Sequence, residues 1–97
     1  MVNDGLRDQE YAFGDDQDLN SRMSALINEF CHVFRSHPDG NWKSTYKPKY
    51  AALMAVEISR QPSLIRKLKA LKDPVVSNVT YAAIEINKQK EQGSENT

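Results

Sequence analysis

The 97-residue chain balances 13 lysines and arginines against 13 aspartates and glutamates, and it contains one cysteine. This length accommodates one domain at most, and a single cysteine excludes an internal disulfide bond, which is typical of a reducing compartment. The sequence has no apolar run long enough to span a membrane and no basic-then-apolar leader. We therefore expect a cytoplasmic protein with no membrane partner.

The N-terminal segment, residues 1–15, is acidic and poor in large aliphatic side chains. Such a composition buries too little apolar surface to offset the entropy lost on ordering, so it predicts a disordered tail. Tyr11 and Phe13 are exceptions to this pattern. They leave open a second interpretation, in which an acidic arm folds over the basic helices that follow.

The first helix is predicted over residues 16–36, where apolar side chains recur at spacings of three and four residues. Its apolar positions are Leu19, Met23, Leu26, Ile27, Phe30, Val33 and Phe34. Asp15, Asp16 and Asp18 are suited to cap its start and to complement the charge there. The turn-forming run over residues 37–41 ends the helix, and residues 42–47 are predicted to be a linker.

Two helices are predicted next, each opened by a proline that suits the first turn of a helix. Pro48 opens a helix that ends near Arg60, because Pro62 disfavours helical geometry at the residue before it. Pro62 then opens a second helix that continues to residue 72. The apolar face of the first consists of Tyr50, Ala51, Leu53, Met54, Ala55 and Ile58, and that of the second of Leu64, Ile65, Leu68 and Leu71.

A last helix is predicted over residues 74–89, with Asp73 as its cap and Pro74 in its first turn. The β-branched run over residues 75–81 makes a strand the competing prediction. We favour a helix because the sequence offers no second strand to pair with this one. Residues 90–97 are polar and are predicted to be a disordered tail.

These elements predict an all-α fold, in which a small bundle of three to four short helices carries disordered N- and C-terminal tails. The helices form a single domain over residues 16–89. The residues that we expect to be buried in its core are Leu26, Phe30, Leu53, Leu68 and Val79.

The positive charge is concentrated in the middle of the chain. Residues 41–72 carry eight lysines and arginines against Glu57 alone, whereas residues 1–18 carry six acids against Arg7. Such segregation creates a local field that attracts anionic partners. The residues that we predict to bind a partner are Lys43, Lys47, Lys49, Arg60, Arg66, Lys67, Lys69 and Lys72. The alternative is an ordinary helix surface whose lysines keep it soluble.

The sequence carries no recognisable catalytic or ligand-binding motif. His32 and His37 are five residues apart, whereas a spacing of four places two metal ligands on one helical face, and Cys31 points elsewhere. There is no nucleophile elbow and no glycine loop that would bind a phosphate. We therefore predict no enzymatic activity, no metal ion and no cofactor.

Residues 42–56, WKSTYKPKYAALMAV, resemble a segment of the phage lysogeny activators of the lambda type, where the DNA-recognition helix ends and the final helix begins. The resemblance implies a DNA-binding helix-turn-helix protein that tetramerises. However, residues 36–40 stand where that family has two helices, so no site residues are carried over from it.

On this basis we expect a small non-enzymatic interaction protein that binds and modulates another macromolecule through a basic helical face. A protein is the favoured partner, in the manner of accessory or inhibitor proteins of phages and plasmids. The alternative is a regulatory protein that binds DNA or RNA directly through the same helices. Self-association is compatible with so small a core.

Overall fold

The computed structural model describes residues 9–37 and 40–96, the last five of these as backbone only. Within these ranges the chain folds into helices, and no strand occurs. The helices are α1 (Gln17–Ser36), α2 (Asn41–Thr45), α3 (Lys47–Arg60), α4 (Leu64–Ala70) and α5 (Pro74–Asn96). The predicted all-α fold is confirmed, and residues 75–81 belong to α5 rather than to a strand.

The helix boundaries follow the local chemistry that the sequence predicts, with three differences. The Asp16 carboxylate accepts a bond from the Leu19 amide at 3.1 Å, and the Asp73 carboxylate accepts one from the Val75 amide at 2.8 Å. Residues 42–45 of the predicted linker instead belong to α2, which follows Gly40 in the left-handed conformation at φ 90°. Helix α4 ends before Lys72, which has a φ of 58°. Helix α5 continues past residue 89, into the segment predicted as a tail.

Helix α1 packs against α3 in the antiparallel direction. Two polar contacts fix this alignment, because Arg22 pairs with Glu57 while Glu29, two turns further along α1, accepts a bond from the Tyr50 hydroxyl. Helix α3 also packs against α5, where the Asn87 side chain donates to the Ala55 carbonyl at 3.1 Å. Helix α3 is therefore the central element, with α1 and α5 covering it.

The core is centred on Phe30 of α1, which is fully buried. Its ring lies 6.3 Å from the Trp42 ring and 6.0 Å from the Tyr50 ring, measured between centroids. The short helix α2 thus has a structural purpose, since it places the tryptophan of the chain on this phenylalanine. Aromatic contacts of this kind add to the free energy gained from burial alone.

Residues 9–14 form an extended segment, here called the arm, that runs along α1. The main chain of Gln9, Tyr11 and Phe13 bonds to side chains of α1, and the Phe13 ring is 2% exposed. The Lys67 ammonium donates to the Phe13 carbonyl, so the arm also reaches α4. Packing against the core therefore begins before residue 16, because an aromatic side chain of the arm is buried. Residues 1–8 of the predicted tail lie outside the described residues.

The predicted core is correct at three positions and wrong at two. Phe30, Leu68 and Val79 are fully buried, whereas Leu53 is 48% exposed and Leu26 is only partly buried. The reason is that α3 buries a different arc of its surface. The side chains of α3 that face α1 and α5 are Tyr50, Ala51, Met54, Ala55 and Ile58. The side of α3 that carries Leu53 is left at the surface.

Truncation of Phe30 and of Leu53 should therefore have different effects on stability. We expect Phe30→Ala to lower the free energy of unfolding by about 3–5 kcal/mol, since it removes the centre of the aromatic cluster. We expect Leu53→Ala to lower it by less than about 1 kcal/mol, because the side chain is half exposed. Urea denaturation followed by circular dichroism measures both. Equal losses for the two variants would contradict this account of the core.

Candidate functional site

The eight cations predicted to bind a partner do not form one continuous face. Lys43, Lys47 and Lys49 lie on α2 and at the start of α3, whereas Arg60 is the last residue of α3. At 1.5 Å per residue, the two ends of this helix are about 20 Å apart. The other four cations lie on α4 and in the turn that follows it. The structure thus distributes the predicted site over two regions, one before and one after the body of α3.

Several of these cations are engaged within the molecule. The Lys67 ammonium bonds to the Phe13 carbonyl of the arm. The Lys69 ammonium lies 5.2 Å from the centre of the Tyr81 ring, and that of Lys49 lies 5.3 Å from the Tyr50 ring. Lys67 in particular holds the arm in place, so changing it would alter the fold as well as the surface charge.

The exposed side of α3 carries a row of apolar side chains that the sequence pattern assigned to the core or left unassigned. Leu53 is 48% exposed and Val56 is 40% exposed, and Ala52 lies beside them at the surface. Lys49 and Arg60 extend this row at either end. The positions are spaced by three and four residues, so they share one face of the helix. We call Lys49, Ala52, Leu53, Val56 and Arg60 the α3 strip.

The edge of the α3 strip is fixed by the two polar contacts between α1 and α3. Arg22 meets Glu57 with two bonds, of 2.9 and 3.0 Å, and the Tyr50 hydroxyl donates to Glu29 at 2.9 Å. Along α1, Leu26 lies between Arg22 and Glu29, the two residues that make these contacts with α3. The partly buried Leu26 therefore widens the apolar surface on this side.

These contacts also decide the charge around the α3 strip. The acid nearest to its centre on α3, Glu57, is neutralised by Arg22, and the hydrogen bond to Glu57 raises the pKa of Arg22. Lys49 and Arg60 are both exposed. The strip therefore presents an apolar centre between two positive charges, which is complementary to an apolar surface with acidic ends.

A second exposed surface lies where α4 packs against α5. Tyr81 is 56% exposed, with the Lys69 ammonium over its ring, and Arg66 is exposed one turn earlier on α4. Cations beside an exposed aromatic ring are a combination that binds nucleic acid through phosphate contacts and base stacking. This surface contains two of the predicted site residues.

The described residues do not assemble a metal site, since no three histidine, cysteine or acidic side chains come together among them. His37 is instead engaged with its own helix, where its Nδ1 lies 2.9 Å from the Val33 carbonyl, and its ring lies 4.8 Å from that of Tyr46. No helix in the part of the chain that the structure describes is long and apolar enough to cross a membrane.

Two surfaces contain residues that the sequence pattern did not identify. Leu53 and Val56 were not recognised as exposed because α3 is apolar around most of its circumference. The second surface is the stripe of α1 that holds the arm, formed by Asn20, Ser24 and Asn28. The sequence did contain a signal for this stripe, since three small polar residues spaced by four lie in a row along a helix.

The chain matches no known protein-family model, no curated protein sequence and no solved structure. Its function is therefore inferred from the surfaces just described.

The contact between Tyr50 and Glu29 should be visible in a tyrosine titration. Burial, and then the hydrogen bond to Glu29 and the charge of that carboxylate, raise the pKa of Tyr50 to about 12. A phenol with a raised pKa in the folded state stabilises the fold below its ordinary pKa near 10, and this contribution is lost as the pH rises through 12.

We expect ultraviolet titration of the wild-type protein to show a tyrosine that ionises near pH 12 and is absent from Tyr50→Phe. In Glu29→Gln the pKa of Tyr50 should fall but stay above 10, because burial remains. A wild-type titration curve that is unchanged near pH 12 by Tyr50→Phe would contradict the contact.

Proposed function

We propose that this chain is a small non-enzymatic interaction protein that binds a protein partner through the α3 strip and thereby modulates it. The observation that carries the proposal is the position of Leu53 and Val56, side by side and 40% or more exposed on the central helix. Single exposed apolar residues are common on protein surfaces, but a continuous apolar row with a charged rim is typical of an interaction site.

The partner that fits the α3 strip is an amphipathic helix with acidic residues at both ends of its apolar face. A helix that packs against α3 would place apolar anchors, three and four residues apart, between Leu53, Val56 and the adjacent Leu26. Lys49 and Arg60 are eleven residues apart, about 16 Å along the helix axis, and would meet acidic side chains at the two ends. Such charges increase the rate of association and select against basic partners.

The mode of action that suits this site is occupation of a surface on the partner. A strip of this size forms a small interface, which is typical of transient rather than permanent complexes. A cytoplasmic accessory or inhibitor protein, of the kind that phages and plasmids encode, acts in this way. Two of the eight cations predicted from the sequence, Lys49 and Arg60, belong to the proposed interface.

The test replaces the apolar centre and the charged ends of the α3 strip separately. The two variants are Leu53→Ser with Val56→Ser, and Lys49→Glu with Arg60→Glu. Tagged proteins are used to capture partners from a nuclease-treated lysate, and the affinity for a captured protein is then measured with purified components. We expect each variant to weaken binding about tenfold or more, because each removes interactions worth about 1.4 kcal/mol or more.

The matched control is Arg66→Glu with Lys69→Glu, which makes the same change of charge on α4. We expect this variant to bind the captured protein as the wild type does. Circular dichroism and thermal unfolding establish that all variants are folded. If the α3 variants bind normally while the α4 control no longer binds the partner, the strip is not the interface and the basic surface of α4 is.

The second candidate function is direct binding of DNA or RNA, which the arrangement of Lys69, Tyr81 and Arg66 favours. In that case the double change of Arg66 and Lys69 to Gln should reduce retention on heparin and on DNA. The salt dependence of binding should also fall, by about one unit of slope for each phosphate that is no longer neutralised. Lys67 is kept in this variant because it bonds to the arm. Unchanged retention would eliminate the nucleic-acid function at this surface.

A further inference from the structure

The arm is bound to α1 through its main chain. The Asn28 side chain accepts from the Gln9 amide at 3.1 Å and donates to the Gln9 carbonyl at 2.7 Å. Ser24 accepts from the Tyr11 amide at 2.7 Å. Asn20 accepts from the Phe13 amide at 2.7 Å and donates to the Gly14 carbonyl at 3.0 Å. Three polar side chains of a helix thus take the place of a neighbouring strand.

The spacing of these hydrogen bonds matches the geometry of the two elements. Every second residue of an extended chain advances by about 6.6 Å, and every fourth residue of an α-helix by about 6.0 Å. The face of α1 that carries Asn20, Ser24 and Asn28 is therefore a site for an extended segment. Because the bonds are to main-chain atoms, any copy of the arm satisfies them equally well.

The side chains of the arm select which segment occupies this site. Phe13 is buried, and Tyr11 packs against the edge of the core with its ring 6.2 Å from that of Phe13. Tyr11 and Cys31 are both partly buried against the same core, and burial, followed by the charge of Cys31, raises the pKa of Tyr11. An extended segment with aromatic side chains at alternate positions fits the site, and the chain itself contains one.

The connection between the arm and α1 is short, since only Gly14 and Asp15 separate Phe13 from the capping Asp16. Gly14 has a φ of +157°, a conformation that residues with a β-carbon rarely adopt. A crevice of about 540 Å³ runs between the arm and α1, so water reaches the polar contacts. The arm can therefore open about this turn, and Phe13 is its main apolar anchor.

We propose that two copies of the chain exchange their arms, so that residues 9–13 of each occupy the α1 site of the other in a symmetric dimer. The interactions made in the dimer are those already present in the monomer, so the only difference lies in the turn at Gly14. Exchange of an identical element through a short connection is an economical way for a protein to dimerise. This interaction uses a different surface from the α3 strip and does not depend on the proposed function.

The first experiment shifts the equilibrium between the closed monomer and the exchanged dimer by changing the turn at Gly14. Valine at position 14 disfavours the closed conformation through its backbone, while its β-carbon would lie in ordinary contact with Lys67 at 3.6 Å. Light scattering coupled to size exclusion should show a larger dimer fraction for Gly14→Val than for the wild type at equal concentration. Adding Phe13→Ser should return the protein to a monomer, because the arm then has no anchor in either copy.

The thiol of Cys31 reports whether the arm is seated. In an exchanged dimer of Gly14→Val, Cys31 should react with a thiol reagent as slowly as in the wild type, because the arm of the other copy packs at the same edge of the core, where Tyr11 and Cys31 are both partly buried. The double variant with Phe13→Ser should react severalfold faster. A Gly14→Val protein that stays monomeric with a fast-reacting Cys31 would overturn the proposal, since the arm would then open without exchanging. A monomer with a slow-reacting Cys31 would overturn it as well.

A second experiment leaves the sequence unchanged and so does not depend on the folding of a variant. Tagged and untagged copies of the full chain are mixed at high concentration, incubated, and captured through the tag. We expect untagged protein to be retained in proportion to concentration, and an excess of a peptide of residues 9–14 to reduce this retention. No retention at the highest soluble concentration, or retention that the peptide leaves unchanged, would contradict arm exchange.

Discussion

The burial of one face of α3 is the constraint on which the rest of this structure depends. α1 and α5 cover that face from two sides, and the aromatic cluster around Phe30 closes one end of the interface. A helix covered in this way has an outer face, and on α3 that face is apolar at Leu53 and Val56. The α3 strip is thus a direct consequence of how the three longest helices pack.

The polar contacts of the fold are placed at its edges and determine what those edges expose. Arg22 forms an ion pair with Glu57, and the Tyr50 hydroxyl donates a hydrogen bond to Glu29. Both acids beside the α3 strip are therefore paired within the molecule. On the far side of α1, Asn20, Ser24 and Asn28 are used by the arm. Helix α1 therefore links two surfaces of different character, one apolar with basic ends and one that recognises an extended main chain.

The helices themselves could be predicted from the sequence because their signals are local. Helix starts could be predicted to within about two residues, because capping side chains and prolines affect only the neighbouring turn of the helix. The residues that gave these signals are Asp16, Asp73, Pro48, Pro62 and Pro74. Helix α2 was not predicted, because its five residues lack an apolar period and are held by the burial of Trp42 on Phe30. The concentration of basic residues in the middle of the chain was likewise visible in the sequence. That these residues lie in two separate regions, one at each end of α3, was recognised only from the fold.

The sequence by itself determined an all-α chain, the order and approximate limits of its four longer helices, and the central place of Phe30, Leu68 and Val79 in the core. Only the tertiary structure decided which side of α3 is covered and where the arm lies. In both cases the local spacing of side chains does not specify the outcome. Apolar residues surround most of α3, so spacing alone cannot choose the buried arc, and the arm is bound through main-chain atoms that every sequence shares.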